Sequence, residues 1–335
     1  MTDMRPGMNT ARLARLVTEA VKRCRLDLRG MVVLTEAASG PYVVTPVLAA
    51  AAGAERIYAV TRSTRHGTVE EVTRQTTQLA SAMGVSKRIH VLTAKTADTI
   101  AQADIVTNSG HLRPLDAGTI RAMRPSSVIP LMYESWELRP GEVDLAACRK
   151  RGVLVAGTNE RHPHIDVLSY LGVMATKLLA DSGVAVYGSR LLVVCDNPFA
   201  PFLRSGLEAA GAGVEVVTEL EANIRGDAPD AILIAVKPRA IPVVGNAEAA
   251  RIAATWPGTI LAQLWGEVDR DAAAMNGLAC WPSAAPAPGH MGILPSALGP
   301  EPIVRLQAGG LKVGEVLLRG GSDRTQACWE YVDAI

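Results

Sequence analysis

The sequence predicts an α/β protein made of two doubly wound parallel-sheet lobes. Three observations carry that reading. Short apolar runs alternate with helical-length segments from Met31 onward, the pattern of strands and crossover helices in a parallel sheet. The pattern restarts at Arg190 after a long apolar stretch. One phrase occurs twice: Trp136, then Gly141-Glu142-Val143-Asp144 and Ala146-Ala147; and Trp265, then Gly266-Glu267-Val268-Asp269 and Ala272-Ala273. At 335 residues the chain exceeds the usual size of one core.

Composition narrows the class. Apolar residues make up 48% of the chain, enough for two cores, and two Phe among many Ala, Val and Leu suit close helix-on-sheet packing. The net charge of +1 implies no cationic face, so nucleic acid is not an expected partner. No apolar run reaches the ~18–20 residues that cross a bilayer, and the first residues lack the apolar core of a secretion signal. The five cysteines are widely spaced and form no CxxC pair, which favours a reducing, cytoplasmic setting.

In chain order, Asn9 or Thr10 caps a first helix ending near Cys24. The organising stretch is Met31–His66. Met31–Leu34 reads as a strand, Ala37–Gly40 as a turn, and Pro41 as the start of an Ala-rich helix that Gly53 ends. Ile57–Val60 is the second strand, running into Thr61-Arg62-Ser63-Thr64-Arg65. A helix follows over 67–83, then strands at Ile89–Leu92 and Asp104–Thr107, the latter opening into Asn108-Ser109-Gly110-His111. Thr96 and Asp116 cap short helices, Val128–Met132 and Val153–Ala156 are strands, and Asp144–Arg151 is a helix. The second half repeats the scheme, with strands at 190–194, 214–217, 231–236 and 259–264 and a helix at Leu203–Ala210. The expected boundaries are a first lobe over 1–164, a connector helix over 165–183, a second lobe over 184–295, and a tail over 296–335 folding back on the first lobe. The glycine pairs 309–310 and 320–321 read as flexible points of that tail, and the lobes are expected to enclose a cleft.

Candidate site residues follow from this layout. Turn amides around Ser39 and Gly40 and the adjoining helix N-terminus suit a phosphate. Thr61, Arg62, Ser63 and Arg65 end the second strand, where a ribose 2′-phosphate lies in such units, and Asn108 ends the fourth. Together they indicate NADP, or NAD, as cofactor; a plain basic loop is the structural alternative. Glu219 is the counterpart in the second lobe. There, however, Pro198 and Pro201 remove amides, and Phe199 and Phe202 read as an apolar wall of the cleft. His290, in a Pro/Gly-rich loop, suits proton transfer. Glu134 and Glu137 bracket Trp136 at a strand end and either could orient a histidine, with Glu267 their equivalent in the second lobe. Lys237 ends a strand and could take a substrate carboxylate. His162 and His164 with His290 are too few and too irregular to indicate a metal. No GxSxG, HExxH or P-loop pattern occurs.

Residues 143–158 (VDLAACRKRGVLVAGT), Ala103-Asp-Ile-Val-Thr107 with Pro114, and Met123-Arg-Pro125 resemble the D-2-hydroxyacid dehydrogenase superfamily. The resemblance implies two Rossmann-like lobes, a homodimer, and NAD(P)-dependent oxidation or reduction of a small polar hydroxy or keto compound, with His290 matching the general acid. The sequence departs from the family in two places. Residues 195–202 stand where GxGxxG belongs, and Trp265 stands where the catalytic arginine belongs. The departures keep two other functions open: an S-adenosylmethionine- or nucleotide-using transferase, to which Glu36 is suited, and a non-catalytic ligand-binding protein.

Overall fold

A computed structural model describes residues 5–320 and 329–335. The chain divides into two compact units, Met1–Val167 with Gly299–Ile335, and Leu168–Leu298.

The first unit opens with α1 (Thr10–Arg23), capped by Asn9, whose side chain accepts the Arg12 N–H. Then come β1 (Val32–Glu36), α2 (Val44–Ala51), β2 (Arg56–Val60), α3 (Val69–Ala82), β3 (Ile89–Leu92), α4 (Ala97–Gln102) and β4 (Ile105–Val106). They continue with α5 (Ala117–Ala122), β5 (Val128–Pro130), α6 (Leu145–Arg151) and β6 (Leu154–Thr158). Capping is local and legible: Thr68 and Glu71 close a capping box on α3, and Asp116 and Asp144 cap α5 and α6. Gly152 leaves α6 in the left-handed region at φ 76°.

The second unit runs α7 (Leu171–Asp181), β7 (Arg190–Val194), α8 (Ala200–Ala209), β8 (Gly213–Val217), β9 (Ala231–Ala235) and α9 (Asn246–Thr255). It ends with β10 (Ile260–Trp265), α10 (Arg270–Met275) and β11 (Cys280–Trp281). The chain then returns to the first unit with α11 (Pro300–Arg319) and β12 (Val332–Asp333).

The strand orders differ. The first sheet reads β12-β6-β5-β4-β1-β2-β3, with β12 antiparallel to β6 and every other pairing parallel. Six of its strands thus follow the 3-2-1-4-5-6 order of dinucleotide-binding sheets, reversing between β1 and β4. The second sheet reads β11-β10-β9-β7-β8, a parallel 2-1-3-4-5 order reversing between β7 and β9. Successive strand residues feed opposite faces: Val33 joins one core of the first unit and Leu34 the other. Leu191 and Leu192 do the same in the second.

The repeated phrase has one structural meaning in both units. Val143 bridges Leu115, and Val268 bridges Val244. Asp144 and Asp269 then cap the next helix by accepting the Ala147 and Ala272 N–H groups. The two tryptophans are not equivalent: Trp265 ends β10 and is buried, whereas Trp136 lies in a 3-10 turn, 40% exposed.

Several expectations are corrected. The connector over 165–183 is not one helix. Asp166 stands at φ 51°, which breaks any helix there, and α7 begins at Leu171 inside the second unit's core. The tail boundary moves from 296 to 299, because Ile293 and Leu298 pack with the second unit. Gly309 and Gly310 are not flexible points. They lie buried inside α11, where an added Cβ would come within 2.6 Å of Ile165 and 2.5 Å of Met132. Gly320 follows α11, and Gly321 and Cys328 lie outside the described residues. The helix expected from Pro41 opens as a 3-10 turn, Gly40–Val43, and α8 starts at Ala200 rather than Leu203. No helix among the described residues is long and apolar enough to cross a membrane.

Candidate functional site

The expected cofactor residues converge at the carboxyl edge of the first sheet. β1 ends at Glu36, and the turn to α2 passes Ser39 (intermediate burial) and Gly40, whose φ of 62° turns the chain into the 3-10 start. No hydrogen bond engages the amides of Ala38, Ser39 or Gly40 among the described residues. The Ser39 hydroxyl donates to the His66 carbonyl at 2.8 Å, fastening this turn to the loop after β2. That loop holds Thr61, buried, and Arg62, Ser63 and Arg65, all exposed. The Arg65 Nε bonds the His66 ring at 3.1 Å, and Ser63 accepts the Val69 N–H at the start of α3.

Beyond the β4 end, Thr107 Oγ1 meets Thr35 Oγ1 at 2.9 Å and Ser109 Oγ at 2.8 Å. Asn108 Oδ1 accepts the Met132 N–H at 2.8 Å. The other end of that amide, Nδ2, is buried without a partner, as are Thr61 Oγ1 and His111 Nδ1. These three lie at the β2 and β4 ends, on either side of β1. Burial, helped by the Arg62 charge, lowers the His111 pKa and keeps the ring neutral.

Glu36 is 7% exposed in the same place. Its Oε2 accepts the His111 N–H at 3.1 Å, and burial raises its carboxyl pKa. Arg113 lies nearby but is ion-paired with Glu142, which also takes the Tyr133 hydroxyl.

A second acidic group sits at the β5 and β6 ends of the same unit. Glu134 is 2% exposed and its oxygens go to Arg161 Nε at 3.2 Å and Trp136 Nε1 at 2.6 Å, instead of to a histidine. Glu137 and Glu160 hydrogen-bond each other; burial and the neighbouring carboxylates push Glu137 up to about 7 and Glu160 well above its usual range. Gly157 permits this crowding, since a Cβ there would lie 2.5 Å from the Ser135 nitrogen. His162 stacks on Tyr331 at 3.8 Å, and His164 Nδ1 lies 2.5 Å from the Tyr331 hydroxyl, so this pair docks the C-terminal segment. Among the described residues no group of three or more His, Cys, Asp or Glu could hold a metal ion.

In the second unit the corresponding turn is closed on itself. Asp196 accepts the Lys237 N–H at 3.0 Å and pairs with Arg239. Asn197 donates to the Ala235 carbonyl at 2.7 Å and accepts the Phe199 N–H at 3.1 Å. Phe199 is not a cleft wall: it is buried in the core against Trp265, ring centroids 5.4 Å apart. Glu219 is exposed. Lys237 is exposed at the β9 end, and His290 is exposed on its loop. That loop is fastened by Gly289, whose N–H goes to Glu267 at 3.0 Å and whose carbonyl accepts Trp265 Nε1 at 3.3 Å. The residue in the arginine's place and the conspicuous Glu267 thus both hold the histidine loop. Asp196 and Glu160, the partner of Glu137, are the features that residue spacing did not single out. Only the strand order shows that a carboxylate at 36 faces the amides after β4.

No protein-family model matches the sequence, and no curated protein matches it. Solved structures do. A dipicolinate synthase polypeptide from Bacillus halodurans aligns with a TM-score of 0.56 at 12% identity, over 89% of this chain and 100% of that one. Its namesake from Bacillus subtilis aligns with the same TM-score, at 12% identity over 88% and 99%. NAD-dependent formate dehydrogenase from Staphylococcus aureus, in complex with NAD, gives 0.50 at 11% identity over 88% and 97%. The chain shares its fold with these proteins. At such identities the likeness is one of fold alone.

Proposed function

We propose that the protein is a nicotinamide-dinucleotide-dependent oxidoreductase, preferring NADP, that acts on a small polar hydroxy or keto compound. The observation that carries this reading is the 3-2-1-4-5-6 order of the first sheet with unpartnered buried Thr61 Oγ1 and Asn108 Nδ2 at the strand ends flanking β1. Ligands of open α/β sheets bind outside the strand carboxyl ends where the order reverses. The residues fit the group in kind. The amides of residues 38–40 would face phosphate, Arg62, Ser63 and Arg65 a 2′-phosphate, and Thr61 and Asn108 the remaining polar atoms. A bound nicotinamide supplies hydride exchange with a carbonyl or carbinol carbon. His290, on a loop fixed by Glu267 and Trp265, is the histidine suited to passing a proton and Lys237 the lysine suited to a substrate carboxylate; both belong to the second unit. Glu134 stays with Arg161 and Trp136 and holds its strand end in place.

The test is fluorescence titration with NADPH and NADH, on the protein and on Arg62→Ala. Losing one charged phosphate contact is expected to weaken NADPH about tenfold or more, roughly 1.5–3 kcal/mol, and to leave NADH unchanged. Failure to bind either would overturn the proposal.

One observation favours a second reading. A buried carboxylate at residue 36 opposes a diphosphate but suits a ligand with an amino group and no phosphate, such as S-adenosylmethionine. Binding of that compound without either dinucleotide would select a transferase.

A further inference from the structure

Glu36 sits where the strand order of the first sheet reverses, 7% exposed and held through Oε2 by the amide of His111. Gly110 keeps the approach open: a Cβ there would lie 3.3 Å from the same oxygen. The charged or titratable groups around it are few. On the β4 loop they are His111, whose ring burial keeps neutral, and Arg113, already committed to Glu142. The loop after β2 contributes Arg62, which acts on His111. The hydroxyls of Thr35, Thr107 and Ser109 bond among themselves and are neutral. Among the described residues Glu36 thus makes no ion pair of its own; Arg113, the cation that acts on it, is paired with Glu142.

A diphosphate placed at this edge brings negative charge beside that carboxylate in a site of low dielectric, where like charges interact strongly. Protonating Glu36 relieves that repulsion, whereas a diphosphate bridging two nucleosides has no group that protonates near neutral pH. Resting on the dinucleotide reading, we propose that Glu36 is the proton-linked gate of the site. A dinucleotide binds with Glu36 in its carboxylic acid form, and binding draws one proton from solvent onto a Glu36 oxygen. No other bond changes. Burial already favours the neutral acid, and the acid O–H becomes a donor where the carboxylate could only accept.

The experiment is calorimetric titration of the whole protein with NADH, which lacks the titrating 2′-phosphate of NADPH. At pH 8, two buffers of different ionisation enthalpy should report uptake approaching one proton per dinucleotide bound. Between pH 7 and 9 the dissociation constant should rise about tenfold per pH unit once the free carboxyl is ionised. Glu36→Gln, neutral at every pH, should bind with a flat profile. Should that variant fail to fold, the two-buffer measurement on the unaltered protein decides alone. Tight NADH binding with no uptake and a flat profile overturns the proposal while leaving the dinucleotide reading standing. Absence of binding by NADH and NADPH at every pH removes both.

Discussion

Each unit sets a carboxylate near the carboxyl end of its first strand, Glu36 as the last residue of β1 and Asp196 two residues past β7, and the two are used differently. Each accepts the amide of a residue in the loop after the neighbouring strand: Glu36 that of His111 after β4, Asp196 that of Lys237 after β9. Asp196 also has Arg239 and Asn197 as partners. Its charge is matched, and it closes the turn. Glu36 has only amides, its nearest guanidinium serving Glu142. The same clamp is complete in one unit and leaves an unbalanced group in the other. Under the proposed function, that difference makes the first unit the one in which to test ligand binding.

The largest effect should come from severing the units' fates. In the second, α7 and α8 touch through Gly172 and Gly206, and a Cβ at Gly172 would lie 2.5 Å from the Gly206 Cα. Gly172→Val should destabilise that unit by about 3 kcal/mol, since overpacking costs roughly 1–3 kcal/mol and backbone cannot yield. Scanning calorimetry should show one transition moving, with NADPH binding retained at temperatures below it.

A pH change should act on the other unit. Glu137 has a folded pKa of about 7 against an ordinary 4.5. A raised carboxyl pKa stabilises below the unfolded value, and that contribution is lost as pH climbs through the folded one. The first unit should therefore lose on the order of 3 kcal/mol between pH 4.5 and 7. Urea unfolding at several pH values should show the slope in the native chain and a smaller one in Glu137→Gln, where buried Glu160 remains. Smaller still, Asp196→Ala should cost about 1 kcal/mol, because water can satisfy the exposed Lys237 amide. Arg62→Ala should move stability by less than about 0.5 kcal/mol, its side chain being exposed, and change only NADPH affinity.

Most of the architecture was legible, because strands and caps are local. Asn9, Thr68, Thr96, Asp116, Asp144 and Asp269 each cap the helix that follows them. The twofold phrase pointed to two related units, and a matching pair of aspartates deepens it. Asp104 and Asp230 each accept the first amide of the neighbouring strand, from Val32 at 2.8 Å and Arg190 at 2.7 Å. What escaped depends on distance in sequence. The Glu137–Glu160 pair joins residues from two loops, and nothing local marks Glu160. Glycines misled in both directions: Gly309 and Gly310 read as joints but are contact surfaces of a helix. The left-handed break at Asp166, which ends the supposed connector, has no glycine to announce it.

The return of the chain to its first unit has a consequence for synthesis. Ile303, Val304, Ala308, Leu311 and Val313 of α11 fill the core beside β1 and α2. Residues 168–298 lie between that core's first part and its last. On the ribosome, the inserted unit is therefore complete while the earlier one still lacks a wall. Domains fold as they emerge, and an unfinished apolar face is a hazard until it is covered. Folding order runs against chain order: the second unit is free to fold first, and the unit begun first must wait for α11.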